Sequence, residues 1–295
     1  MRTDNIPTRV TIVEVGPRDG LQNEPDQVPT GAKIAFVDAL SDAGLPVVEV
    51  TSFVNPTTVP QLADATKVMA GIRRKPGVRY PVLVPNERGL ERALDSGANA
   101  IALFTSATEE FAQANIRASI DASFSRFQPV MERAKVDNLW VRGYVSVAFG
   151  CPFHGRVPAD QPVDVARRLF DLGCDEVCLA DTIGVATPDD VKAVLTAAES
   201  LPFDRLALHF HDTGGRAIDN VETGLTFGIS IFDAAAGGLG GCPFAPGAPG
   251  NLATEQLLSY LQIRQIESGV DLDRVKHATA ELYQAMSTSR SSAVS

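Results

Sequence analysis

Short apolar runs and stretches of helical period alternate eight times along this chain of 295 residues. The runs at 10–15, 47–52, 80–84, 100–104, 141–148, 176–180, 206–211 and 230–235 carry β-branched and aliphatic residues, which suit strands. Between them, apolar residues recur three and four apart, the spacing of an amphipathic helix. That spacing predicts helices over 32–43, 59–72, 87–96, 116–136, 162–172, 188–200, 215–227 and 251–267. The helix at 116–136 follows a less regular start at 109–115. A ninth helix is predicted over 271–286, and Thr187 before Pro188 reads as an N-cap with proline in the first turn.

Strands such as Ala100–Phe104 are apolar on both faces, as parallel strands covered by helices must be. Eight strand–helix units in roughly 270 residues match a closed (β/α)8 TIM barrel. An open doubly wound sheet is disfavoured, because no Gly-x-Gly-x-x-Gly opens a helix after the first strand. The expected architecture is therefore α/β: an arm at 1–9, one barrel over 10–286 with an added C-terminal helix, and a flexible tail at 287–295.

Hydrophobic content of 44% and charged content of 21% are ordinary for a globular protein. A net charge of -10 argues against nucleic acid as partner and means that an anionic substrate needs local help from a cation. No apolar run reaches the roughly 20 residues that span a bilayer, and the first residues form no apolar signal. Four cysteines, at 151, 174, 178 and 242, make no disulfide framework, so a reducing cytoplasm is the expected setting.

In such barrels chemistry sits at the C-terminal strand ends. Those positions hold Arg18 and Asp19, Glu49, Asn86, Thr105, Asp181, His209 and His211, and Asp233. His209 and His211 alternate onto one face of a strand and make a pair of metal ligands; the plainer reading is two ordinary hydrogen-bonded histidines. Asp19 is either a turn residue beside Gly20 or a carboxylate ligand. Arg18 is either a partner for Asp19 or Glu49, or the cation that stabilises an enolate. Glu49 lies inside an apolar strand, where an unpaired carboxylate is costly, so it orients Arg18 or a ligand. Asp181 is an Asx turn, a metal ligand or a supporting group. Glu14, mid-strand, is interior structure.

A glycine- and proline-rich loop, 237–251, can wrap a ligand. Within it Cys242 is either a small hydrophobe or a tunable thiol. Asn251 is either the N-cap of the next helix or an oxygen donor to a metal, and the two roles compete for one atom. Imidazoles with carboxylate and amide oxygens suit Mg or Mn, with Zn or Co also compatible. An open cation beside an arginine and a thiol suits carbon–carbon cleavage through an enolate.

The joint pattern resembles the 3-hydroxy-3-methylglutaryl-CoA lyase family of metal-dependent TIM-barrel acyl-CoA lyases. The matching segments are Glu14-Val15-Gly16-Pro17-Arg18-Asp19-Gly20-Leu21-Gln22-Asn23-Glu24, Thr51-Ser52-Phe53-Val54, Arg142-Gly143-Tyr144-Val145-Ser146 and Gly150-Cys151-Pro152. They continue through Asp181-Thr182-Ile183-Gly184, His209-Phe210-His211-Asp212-Thr213 and the glycine loop to Glu255. The resemblance implies a divalent cation held by Asp19, His209, His211 and Asn251. It implies that Arg18 binds the thioester oxygen and that Cys242 protonates the product, in a catalytic set of Cys242, Arg18, Asp19, Glu49 and His209 with Asp181 in support. The implied reaction is retro-Claisen cleavage of 3-hydroxy-3-methylglutaryl-CoA to acetyl-CoA and acetoacetate in leucine breakdown, by a homodimer that binds neither nucleic acid nor membrane.

Three departures bear on substrate choice: Gly214 where the family usually has tyrosine, Ala180 where it has glycine, and Ala234-Ala235 where Ser-Val is common. None removes an implied ligand or the thiol. They leave one alternative, the same chemistry on citramalyl-CoA or a longer-branched 3-hydroxyglutaryl-CoA; two separate rivals are a non-catalytic barrel that only binds acyl-CoA and a synthase that runs the Claisen reaction forward.

Overall fold

The structure, a computed structural model, describes residues 6–241 and 250–293, with side chains to 288. Eight parallel strands form its centre: β1 (Thr11–Glu14), β2 in two pieces (Val47–Val48 and Thr51–Ser52), β3 (Val82–Leu83), β4 (Ala100–Ser106), β5 (Trp140–Ser146), β6 (Glu176–Asp181), β7 (Leu206–Phe210) and β8 (Ile231–Ala234). Each pairs with its chain neighbour, and β8 returns to β1. The first piece of β2 pairs with β1 and the second with β3, so the sheet closes on itself. The fold is a (β/α)8 barrel, as the eightfold rhythm predicts.

The helices are α1 (Thr30–Asp42), α2 (Ala65–Gly71), α3 (Glu87–Asp95), α4 (Glu109–Ile116), α5 (Ile120–Val136), α6 (Asp160–Leu172), α7 (Pro188–Ala197), α8 (Ala217–Thr226), α9 (Thr254–Ile263) and α10 (Leu272–Ala293). They bury aliphatic residues against the strands in one continuous core. Thr187 caps α7 as expected: its side chain accepts from the Asp190 backbone, and the Asp190 carboxylate accepts from the Thr187 N–H. Among the described residues no helix is long and apolar enough to cross a membrane.

Four helix boundaries need correction. The expected helix at 116–136 is two helices. Thr108 caps α4, Arg117 closes it in the left-handed conformation at φ 51°, and Ser119 caps α5. The expected helix at 59–72 is a 3-10 turn at Pro60–Leu62 followed by α2. The expected start at Asn251 moves to Thr254, because residues 250–252 instead bond to the end of β7: Asp212 N–H donates to the Gly250 carbonyl and Leu252 N–H to that of Phe210. The last helix continues to Ala293, into the stretch read as a tail.

Candidate active site

Parallel register decides which side chains share the barrel interior. His209 on β7 lies opposite Asp233 on β8, and residues in register face the same way. Both are buried, and His209 Nδ1 lies 3.2 Å from Asp233 Oδ2. Asp233 is held below the usual carboxylate range by Arg142 and His209, which outweigh its burial. An ionised carboxylate only accepts, so Nδ1 carries the proton and Nε2 is the free nitrogen. Asp233 also raises the pKa of His209 against its burial. His211, two residues on, is pushed down to about 4 by burial and by His209.

Asp19 reaches the same point from β1. The chain leaves Val15 in a tight turn over Gly16–Gly20, in which the Val15 carbonyl accepts from the N–H groups of Arg18, Asp19 and Gly20. Gly16 is needed there, since a Cβ would stand 2.6 Å from Glu14 Oε1. The turn presents Arg18 and Asp19 together: Arg18 donates to Asp19 Oδ1 at 2.7 Å and to Glu49 Oε2 at 2.9 Å. Burial opposes these charges, but the two carboxylates raise Arg18 and the cations hold Asp19 down at about 2.

One ligand atom each from Asp19, His209 and His211 falls within 4.8 Å of the others. Asn251 sits beside them, bridged through its backbone to His211. Its Nδ2 donates to Asp19 Oδ2 and to the Leu239 carbonyl, both at 2.9 Å. These two acceptors fix the amide, leaving Oδ1 buried without a hydrogen-bond partner among the described residues; His211 Nδ1 is equally unpartnered among them. An orphaned amide oxygen beside a carboxylate and two imidazoles is a donor set that a divalent cation satisfies. Asn251 is not an N-cap: Ala253 flanks α9 without any side-chain bond.

Glu49 supports this group. Fully buried, its Oε2 accepts from both Arg18 and the Tyr144 hydroxyl, each at 2.9 Å. Tyr144 also receives Arg142 Nη1 at 3.0 Å, while Arg142 Nη2 donates to Asp233 Oδ1 at 2.6 Å. A buried polar chain therefore runs from Asp19 through Arg18, Glu49, Tyr144, Arg142 and Asp233 to His209. Sequence reasoning gave Arg142 and Tyr144 no role, and it named Asp233 only as a strand end. The signal was the one that marked Glu49, a charged residue inside an apolar strand, here Val141-Arg142.

Asp181 does something different. Its two oxygens accept from the backbone of Val185 at 3.1 Å and Ala186 at 2.9 Å, and burial raises its pKa to about 6. It ties down the loop after β6. Glu14 is interior structure as read, accepting from Gly16 N, Ala236 N and Thr254 Oγ1. Cys242 lies outside the described residues.

Arg18, Asp19, His209 and His211 open onto a cavity of about 620 Å³ bounded by Phe104, Phe111 and Tyr144 among others. Ala180 lines it, whereas Gly214 does not. Gly214 is exposed, and an added Cβ would meet only the Gly184 carbonyl at 3.1 Å. Of the three departures, only Ala180 borders the cavity.

Comparison with known proteins agrees with this geometry. A family model described as HMGL-like matches residues 9–282. A mitochondrial hydroxymethylglutaryl-CoA lyase of Rattus norvegicus is 49% identical over 290 residues, spanning 98% of this chain and 89% of its own. A cytoplasmic 3-hydroxy-3-methylglutaryl-CoA lyase of Danio rerio is 50% identical over 291 residues, spanning 98% and 87%. The crystal structure of hydroxymethylglutaryl-CoA lyase from Pseudomonas aeruginosa superposes with a TM-score of 0.91 at 48% identity, covering 96% of this chain and 93% of that one.

Proposed function

The chain belongs to the HMGL-like family, and from that membership we infer that it cleaves 3-hydroxy-3-methylglutaryl-CoA to acetyl-CoA and acetoacetate. It is a carbon–carbon lyase. The observation that carries the reading is the convergence of Asp19, His209, His211 and the orphaned Asn251 oxygen beside Arg18 at the cavity.

Asp19, His209, His211 and Asn251 are the residues that would hold the cation. When bound, a divalent cation supplies Lewis-acid polarisation of the substrate oxygens. The C3 hydroxyl proton is taken within the Asp19–His209–His211 cluster. The C2–C3 bond then breaks, its electron pair moves to the thioester enolate, and C3 becomes the ketone of acetoacetate. Arg18, clamped by Asp19 and Glu49, keeps its charge where the enolate oxygen forms, without reorganising. Cys242 follows Gly241, which lines the cavity, and gives the proton that converts the enolate carbon to the methyl of acetyl-CoA. Asp233 and Glu49 act through His209 and Arg18.

Finer assignments rest on chemistry. Mg or Mn suits the oxygen-rich donor set. Cys151, Cys174 and Cys178 are free, consistent with the cytoplasm, although lyases of both compartments stand among the relatives. A homodimer working in leucine breakdown completes the reading. Citramalyl-CoA and longer-branched substrates lose much of their motive, because Gly214 stands away from the cavity.

Purified protein with Mg or Mn is expected to release acetyl-CoA from 3-hydroxy-3-methylglutaryl-CoA, with Cys242→Ala losing most of the rate and citramalyl-CoA a poor substrate. A higher kcat/KM on citramalyl-CoA would overturn the substrate. Tight acyl-CoA binding without turnover would favour the binding barrel.

A further inference from the structure

We propose that Arg117 and Arg126 form a phosphate-binding subsite at the mouth of the active-site cavity, which takes the phosphates of the coenzyme A moiety. The proposal rests on the acyl-CoA reading above.

Three cations line the cavity, Arg18, Arg117 and Arg126, against one anion, Asp19, in a chain whose net charge is -10. Arg18 is committed to Asp19 and Glu49. The other two are exposed, and among the described residues neither has a carboxylate within ion-pair distance. The acids around them are engaged elsewhere. Glu109 accepts from Ile120 N at 3.2 and 3.1 Å, Asp121 pairs with Arg168 at 2.8 Å, and Glu110 stands 3.5 Å from His154. Arg126 Nη1 lies 3.4 Å from the Ile116 carbonyl, which is bonded directly to the nitrogen of Arg117. Two uncompensated guanidinium groups therefore belong to one patch, and a field that repels anions globally is reversed there.

The backbone supplies an independent observation. Arg117 ends α4 in the left-handed region at φ 51°, where glycine or asparagine is the usual residue. A side chain with a Cβ is disfavoured there. An arginine at that position makes the helix end less stable than glycine would, so its charge, not its conformation, accounts for its use. Guanidinium groups match phosphate oxygens in a fork geometry, and Arg126 from α5 adds the second fork.

The strain also provides the test. Arg117→Gly removes the charge and relieves the backbone, so it is expected to melt at or above the temperature of the unchanged protein. With Arg126→Gln added, the Kd for coenzyme A in calorimetry is expected to rise about tenfold. The KM for 3-hydroxy-3-methylglutaryl-CoA should rise with it. The KM for the N-acetylcysteamine thioester of the same acid, which has no phosphates, is expected to stay unchanged. An unchanged Kd for coenzyme A in the folded double variant would overturn the subsite. An equal rise in KM for both thioesters would also overturn it, since the arginines would then hold the acyl carboxylate. If the unchanged protein binds coenzyme A but does not cleave its ester, the lyase reading fails while the Kd comparison still decides the subsite.

Discussion

Glu14 is buried among three donors with a pKa near 7, against 4.5 for the free side chain. A carboxyl raised on folding stabilises the native state fully below about pH 4.5 and loses that contribution as pH climbs towards 7. The loss is on the order of 3 kcal/mol. Glutamine keeps both backbone bonds at Oε1 and donates to Thr254, so Glu14→Gln should flatten the dependence of unfolding free energy on pH between 4.5 and 7. Urea titrations across that window check it, and an unchanged slope contradicts it. Asp233→Asn acts on the cation instead. It leaves His209 Nδ1 without its ionised acceptor, and Mn(II) affinity followed by electron paramagnetic resonance should fall about 10- to 100-fold. The buried Arg142 loses a countercharge in the same variant, which should cost about 3–5 kcal/mol of stability in urea. Undiminished Mn(II) affinity would show that His209 needs no orienting carboxylate.

At the scale of elements, the strands were legible because each is a short apolar run bounded by turn residues. Polar residues at their ends then marked the rim. Helix ends were less legible where tertiary bonds decide them. Asn251 looks like an N-cap, yet its amide is claimed by Asp19 and Leu239 across the barrel. Arg117 interrupts an otherwise helical pattern through a backbone conformation that its residue type does not announce. The role of Asp233 depends on the register of β7 with β8, which spacing along one strand does not contain. Two element-level changes separate stability from chemistry. Thr187→Ala breaks the capping box of α7 and should cost about 1 kcal/mol in urea unfolding with kcat unchanged. Gly184→Ala puts a Cβ 2.6 Å from the Thr213 side chain at φ +67°, two residues beyond His211. It should therefore lower both stability, by about 1–3 kcal/mol, and Mn(II) affinity. Equal Mn(II) affinity in Gly184→Ala and the unchanged protein would show that the loop does not position His211.

For the whole molecule, the closed barrel is what lets residues 19 and 251 meet His209 of β7 and His211 just beyond it. Closure brings β8 back to β1, and Asn251 Nδ2 donates to Asp19 Oδ2 at that seam. The eightfold rhythm made the closure predictable, and with it the rim on which the site lies. The interior polar chain through Arg142 and Tyr144 was not predictable from residue spacing, because its members come from separate strands and meet only across the barrel. A single-cation lyase site on this rim has one direct consequence. Chelator-treated protein is titrated with Mn(II) while acetyl-CoA release from 3-hydroxy-3-methylglutaryl-CoA is followed. No release is expected at the start, and activity should return linearly and saturate at about one cation per chain. Full activity in the chelated protein, or none at any metal concentration, would contradict it.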